Sequence, residues 1–520
     1  MKKIFLIIGS FAITTLYAQK KAPENWFLLN PKTDNVYGVG SEEAYKTLAN
    51  KKPKTVIVAV IDSGTEIDHE DLKDNIWVNE DEIPNNGIDD DNNGYIDDVN
   101  GWSFLGGKNG DIEFEATELA RIYQRMTKKF AKTDTNNLSS EDAKAFEEYK
   151  TIRTTFRTEQ AEQAQQLQGI GALVDLFANV KKENNGVLSK STFSSYVPKN
   201  EVEAKIQKKM KKFFLIIKPE ELDAQLTMGY ESMSKTFKYN QLNVDSIRQA
   251  VVGDDPNNMN ERYYGCNRVE GPDALHGTHV SGIIAAMRNN NLGIRGIAEN
   301  VKIMPVRAVP SGDERDKDIA NAIRYAVDNG ATIINMSFGK YYSPNKSIID
   351  DAIKYAMSKD VLLVHAAGNE SKNCDVELSY PTRDFTSGGE ANNWIQVGAS
   401  SYKKSKNILG SFSNYGKAKV DLFAPGVDVY STVCDSKYIS ESGTSMASPA
   451  VAGVAAIIRS YFPELKASEV REILMKTVVP YKKAVIVPGT KEKKLMSDLC
   501  ISGGFINTNN AVIEILKQKK

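Results

Sequence analysis

The chain has 520 residues, 41% hydrophobic and 26% charged, which is ordinary globular usage and excludes wholesale disorder. Sixty-six basic residues against 67 acidic ones give a formal net charge of -1. That balance lacks the electrostatic footprint of a dedicated nucleic-acid binder, and four cysteines are too few for a disulfide-built scaffold.

Residues 1–18 open with Lys2 and Lys3, run apolar from Ile4 to Leu16 and end in Tyr17-Ala18. This is the layout of a secretory signal peptide, with cleavage expected near Ala18 and the product secreted or periplasmic. The run is shorter than the ~20 residues that span a bilayer, and no other stretch approaches that length, so no membrane span is expected. Export permits disulfides: Cys266, Cys374, Cys434 and Cys500 either pair in one of three ways or stay as free thiols.

Next, TVIVAVID (55–62) reads as a buried β-branched strand ending on a carboxylate. IDDDNNGYIDD (88–98) then spaces Asp89, Asp91 and Asn93 two apart before Gly94, and follows with Asp97 and Asp98. Alternating oxygen ligands around a glycine turn suit a hard cation, and structural Ca²⁺ is the expected cofactor. A standard EF-hand loop would place glutamate where Asn100 stands, so this is a different loop.

From 107 to 261 the character changes to Lys, Glu and Gln with helical stripes. Leu119, Ile122, Tyr123, Met126 and Phe130 form one, and Phe146, Tyr149, Ile152 and Phe156 another after a start signal at Ser139/Ser140. A third runs through Val202, Ile206, Met210 and Phe213 between Pro198 and Pro219. The basic stretch KIQKKMKKFFLIIK (205–218) is expected to pack on its neighbours rather than lie on a membrane. The expected organisation is a signal peptide (1–18), one α/β domain in two parts (19–106 and 262–520), and a helical insertion (107–261).

The second part alternates strand-like runs, VKIMPVRAV (301–309), ATIINMSFG (331–339) and VLLVHAAGN (361–369), with helix-like ones, DIANAIRYAVDNG (318–330) and SIIDDAIKYAMSKD (347–360). Such alternation predicts a mostly parallel sheet flanked by helices, with ligands beyond the C-terminal strand ends. Asp62, Ser337-Phe338-Gly339 and Asn369 fall at those ends. HGTHVSG (276–282) and GTSMASPAVAG (443–453) each open an apolar helix, and Ser445 sits where a helix dipole favours developing negative charge. Asp62, His276, Ser445 and Asn369 together supply the parts of an activated serine nucleophile.

Through VIDSG (60–64), HGTHVSG (276–282), NMSFG (335–339), AAGNE (366–370) and GTSMASPAVAG (443–453), the chain resembles the subtilisin-like serine proteases over roughly 55–105 and 262–515. The resemblance implies a three-layer subtilisin-like α/β fold and an endopeptidase acting on protein or peptide substrates. It casts Ser445 as nucleophile, His276 as general base, Asp62 as its orienting partner and Asn369 as an oxyanion donor. Ser337, Phe338 and Gly339 would pair with extended substrate backbone and, with Ala366, Ala367 and Gly368, flank the pocket for the residue before the scissile bond. His279 would be structural. Asp71 matches a calcium-binding aspartate of the family, beside the loop RNNNLGIRG (288–296).

Two departures stand out. Asp62 and His276 lie 214 residues apart, so the insertion is expected to leave and re-enter the catalytic domain near its active site. Residues 19–61 must supply the N-terminal part of that domain, which leaves no room there for a folded propeptide.

Overall fold

A computed structural model of the chain describes residues 22–133, 137–214 and 218–518. The expected signal peptide and residues 215–217 of the basic stretch lie outside them. The described chain forms two compact units, Lys21–Glu113 with Asp245–Lys520 and Phe114–Val244.

The larger unit is built on nine strands: β1 (Val56–Asp62), β2 (Trp102–Ser103), β3 (Val301–Arg307), β4 (Ile333–Met336), β5 (Leu362–Ala366), β6 (Trp394–Ser400), β7 (Leu422–Pro425), β8 (Val479–Pro480) and β9 (Gly504–Phe505). Their order is β8-β9-β7-β6-β5-β4-β1-β3-β2, with every pairing parallel except β8 with β9. β1 alternates its side chains between two cores. Val58 and Val60 join Val280, Ile283, Ala450 and Val454, while Ala59 and Ile61 join Ile319, Ile323 and Ile353. A strand buried on both faces needs an unbroken apolar run, which is what residues 56–61 supply. Helices α1 (Leu275–Ala285) and α2 (Thr444–Tyr461) pack together on the first face, and helices Asp316–Asp328 and Lys346–Ser358 on the second.

Residues ahead of β1 belong to this body. Trp26, Phe27 and Leu28 are fully buried in the first core, and the Trp26 indole donates to the Asp428 carbonyl at 3.0 Å.

The smaller unit is helical throughout its named elements: Glu118–Phe130, Ser140–Glu183, Lys190–Ser195, Glu201–Phe213 and Pro219–Tyr239. Thr117, Ser139 and Asn200 cap three of these helices through their side-chain oxygens. Leu173, Leu176, Phe177, Phe193, Met210 and Phe214 form its core, and Tyr123 stacks on Phe156 with ring centroids 4.3 Å apart. Val202, placed in a stripe by its spacing, is 57% exposed instead. The helix Pro219–Tyr239 was not expected from the sequence; it adds Leu222 and Leu226 to the core.

Residues 107–113 and 245–261 cluster with the larger unit rather than with the insertion. A buried charge network explains the second segment. Arg248, with no exposed side-chain surface, pairs with Asp254 at 2.9 Å and Asp318 at 2.7 Å. Lys317 joins Asp254 and Glu261, and the Tyr264 hydroxyl donates to Asp318 at 2.6 Å. Buried charges of this kind hold only when every partner is present, and breaking one such pair costs ~3–5 kcal/mol.

All four cysteines are free thiols, and burial pushes Cys374 up to about 12 and Cys500 up to about 11. No helix among the described residues is long and apolar enough to cross a membrane.

Candidate active site

Asp62 ends β1, and His276 is the second residue of α1. The approach of α1 to this strand end needs glycine: a Cβ on Gly277 would lie 2.0 Å from the Gly64 carbonyl. His276 Nδ1 stands 2.7 Å from Asp62 Oδ1, which also accepts the Ser63 N–H at 2.8 Å. A carboxylate at Nδ1 assigns the proton to that nitrogen and leaves Nε2 as the acceptor. Burial works to lower the imidazole pKa, but the charge and hydrogen bond of Asp62, with Glu441 and Asp273, raise it above the ordinary 6.5. The other three histidines are fully buried. His279 is pushed down to about 3 by burial and by His276, and His365 to about 4 by burial. His69 is held between the Lys437 carbonyl and the Asp71 N–H. Only His276 keeps solvent access, with 38% of its side chain exposed.

Ser445 is the second residue of α2. Four residues on stands Pro449, which has no N–H to give the Ser445 carbonyl. Ser337 supplies the missing donor, its Oγ reaching that carbonyl at 2.9 Å. Ser337 Oγ also lies 2.8 Å from Ser448 Oγ and accepts from Asn335 Nδ2 at 3.0 Å, while Ser448 donates to Asn335 Oδ1 at 3.0 Å. This buried network ties the end of β4 to the first turn of α2. The Ser445 hydroxyl donates to the Ser337 carbonyl at 3.1 Å. The structure thus joins Asp62 to His276 by a hydrogen bond and leaves the Ser445 hydroxyl bonded to the Ser337 carbonyl.

Asn369 follows Gly368, whose φ of +102° turns the chain after β5 in a way that other residues resist. Its Oδ1 accepts both the N–H and the hydroxyl of Thr444, at 2.8 and 3.0 Å, so its Nδ2 is directed the other way. A Cβ placed on Gly443 would lie 3.5 Å from the Ser445 nitrogen and 3.6 Å from Asn369 Nδ2. Both nitrogens thus lie within 3.6 Å of one point at the start of α2. Beside them opens a cleft lined by Ser337, Phe338, Gly339, Ala366 and Gly368, with Tyr341, Glu370, Ser379, Asn369, Thr444 and Ser445. Ala367 is fully buried behind this wall and offers its carbonyl to Asn414 Nδ2 at 2.9 Å.

Of the expected metal ligands, the structure brings Asp91 and Asp98 together with Glu82, ligand oxygens within 4.8 Å of one another. One Glu82 oxygen, Oε2, is buried without a hydrogen-bond partner. Burial pushes Asp98 up to about 6 although Tyr325, Asn79 and Asn93 donate to it. Asn93 lies at the edge of this group, its Nδ2 on Asp91 and Asp98. Asp89 and Asp97 stand apart. Asp89 accepts the Asn93 and Gly94 N–H groups and Asp97 those of Asn86 and Gly87, so each shapes the loop. Asp71 forms a separate buried site, accepting from Asn290, Ile294 N–H and Tyr438, with its pKa raised by burial.

Sequence reasoning missed Glu82, Asn335, Ser448 and Asn414. Asn335 was detectable as an amide in an otherwise apolar strand. The other three sit at ordinary positions, and only contact identifies them.

A model of the subtilase family matches residues 53–498. A thermophilic serine proteinase of Bacillus sp. (strain AK1) is 45% identical over 188 residues, 36% of this chain and 42% of that protein. Subtilisin DY of Bacillus licheniformis is 39% identical over 205 residues, 39% of this chain and 69% of that protein. A cell wall-associated protease of Bacillus subtilis (strain 168) is 37% identical over 235 residues, 45% of this chain and 24% of that protein. The chain thus spans less than half the length of the first and third of these relatives.

Proposed function

Because the chain belongs to the subtilase family, we propose that it is an exported serine endopeptidase that cleaves protein or peptide substrates through an acyl-enzyme. Ser445 Oγ attacks the scissile carbonyl as His276 Nε2 takes its proton. Asp62 holds the imidazole tautomer and stabilises the imidazolium. The oxyanion lies between the Ser445 N–H and Asn369 Nδ2, and the imidazolium protonates the leaving amine. Water then repeats the sequence on the ester and frees Ser445. Residues 337–339 pair with the substrate main chain, which gives affinity with little sequence demand. Residues 1–18 direct export.

The observation that carries this reading is that the Ser445 nitrogen and Asn369 Nδ2 lie within 3.6 Å of one point at the start of the helix that packs against the one bearing His276. A fluorophosphonate probe tests it. The wild type should label once and hydrolyse peptides, and Ser445→Ala should fold, fail to label and lose nearly all turnover. Unchanged turnover in Ser445→Ala would end the protease reading.

The Glu82, Asp91 and Asp98 cluster fits a calcium ion by its chemistry: three carboxylates within 4.8 Å and one oxygen with no donor. Bound there, the ion would offset the mutual repulsion of these groups and brace the loop that β2 follows. Asp71 is a second candidate ligand.

A further inference from the structure

The smaller unit carries a segregated charge. Residues 181–212 hold nine lysines against three glutamates, in a chain whose formal net charge is -1. The remainder of the chain therefore carries seven more acids than bases. Crowding like charges on one segment costs self-repulsion, and folding alone gives nothing back for it.

The helix Glu201–Phe213 sorts these residues by face. Glu203, Gln207 and Met210 are buried, and Met210 joins Phe214 in the core of the unit. Lys205, Lys208, Lys209 and Lys212 are all exposed. Their spacing of i, i+3, i+4 and i+7 puts them together on the opposite face, over ~10 Å of helix axis. The glutamates of the segment do not cancel this face. Glu183 pairs with Lys199 at 3.1 Å, and the buried Glu203 accepts the Tyr196 hydroxyl at 3.0 Å and the Lys199 N–H at 2.8 Å. Of the three, only Glu201 meets a lysine of the face, Lys205, at 3.1 Å.

Apolar side chains border the lysines. Val202, one turn before Lys205, is 57% exposed, and Val197, in the loop that enters the helix, is 77% exposed. We propose that this face is a docking surface for an anionic lipid bilayer, which the protein meets peripherally. The helix has given its apolar side to the core, so it rests on the headgroups by its lysines instead of lying among the acyl chains. Clusters of four or more lysines attract anionic headgroups within a Debye length, and Val197 and Val202 gain burial at the interface. A soluble polyanion would meet the lysines but leave both valines in water. The exposed valines therefore favour the bilayer.

The test is sedimentation of the exported Ser445→Ala protein with vesicles of phosphatidylcholine alone or with about a third phosphatidylglycerol. At about 50 mM salt the anionic vesicles should bind ~100-fold more tightly, ~5-fold for each of about three lysines engaged, and about 0.5 M salt should remove most of the gap. Lys208→Gln, Lys209→Gln and Lys212→Gln together should close the gap to within ~5-fold at an unchanged Tm, since exposed glutamine keeps the helix. Lys208→Arg, Lys209→Arg and Lys212→Arg together should preserve it. Val197→Ser with Val202→Ser should weaken binding to anionic vesicles but not to soluble polyphosphate. Equal binding to the two kinds of vesicle, or a gap unmoved by the three glutamines, would overturn the proposal. So would vesicle affinity unmoved by the two serines, or binding to polyphosphate with none to anionic vesicles.

Discussion

Asp98 turns the calcium reading into a measurement. It is fully buried, and burial moves its pKa from the ordinary 3.8 up to about 6, against three hydrogen bonds that pull the other way. An acid whose pKa rises on folding is penalised when it ionises in the native state. The penalty is absent below pH 3.8, grows between there and about 6, and is complete above, at about 3 kcal/mol. The cation-free protein should therefore lose stability as pH rises through that window. A cation among Glu82, Asp91 and Asp98 reverses the sign, because the ionised form then becomes the useful one. Calcium at about a hundredfold its dissociation constant adds about 2.7 kcal/mol, worth several degrees in Tm. The assay is scanning calorimetry in EDTA and in about 1 mM calcium, at pH 4.5 and 7.5, on Ser445→Ala so that autolysis does not intervene. The calcium-minus-EDTA gap should be wide at pH 7.5 and narrow at pH 4.5, and Asp98→Asn should shrink it at the higher pH. Equal Tm values in EDTA and calcium at pH 7.5, or an equally wide gap at pH 4.5, would refute the reasoning.

Two predictions concern catalysis. Asn369→Ala should lower kcat by ~10²–10³ with little change in KM, because its Nδ2 serves the oxyanion rather than the ground state; loss of affinity alone would reassign it to substrate binding. Glu441→Gln should move the acid limb of the kcat/KM profile to lower pH, since Glu441 is one of the negative charges that raise the His276 pKa, and an unmoved limb would leave Asp62 and Asp273 as the sole causes.

Much of the larger unit was legible along the chain. Buried parallel strands need continuous apolar runs and amphipathic helices need a period of 3.6, so β1, β3, β4 and β5 and their helices could be read locally. The catalytic candidates were legible for a related reason. Asp62, His276, Asn369 and Ser445 each sit at or just beyond an element terminus, and Gly64, Gly277 and Gly368 beside the first three are required by the close approach there. The smaller unit was less legible: its stripes predicted helices, but Val202 is exposed and Phe214, outside the stripe, is buried, because a stripe at one periodicity fits several facing partners.

What tertiary structure alone decided is pairing between distant groups. Two apolar runs do not state which lies beside which, so the order β8-β9-β7-β6-β5-β4-β1-β3-β2 comes from long-range packing. Spacing proposed five oxygen ligands, but folding gave Asp89 and Asp97 to backbone N–H groups and brought in Glu82. Pro449 announces an unpaired carbonyl in the sequence, yet nothing local says that Ser337 fills it. Residues 245–261 carry the same helical and charged composition as the insertion, but Arg248 is buried between Asp254 and Asp318, and a buried charge settles where its counter-ions are. Local propensity acts within a few residues, whereas hydrogen bonds and ion pairs are satisfied across whatever distance the fold closes.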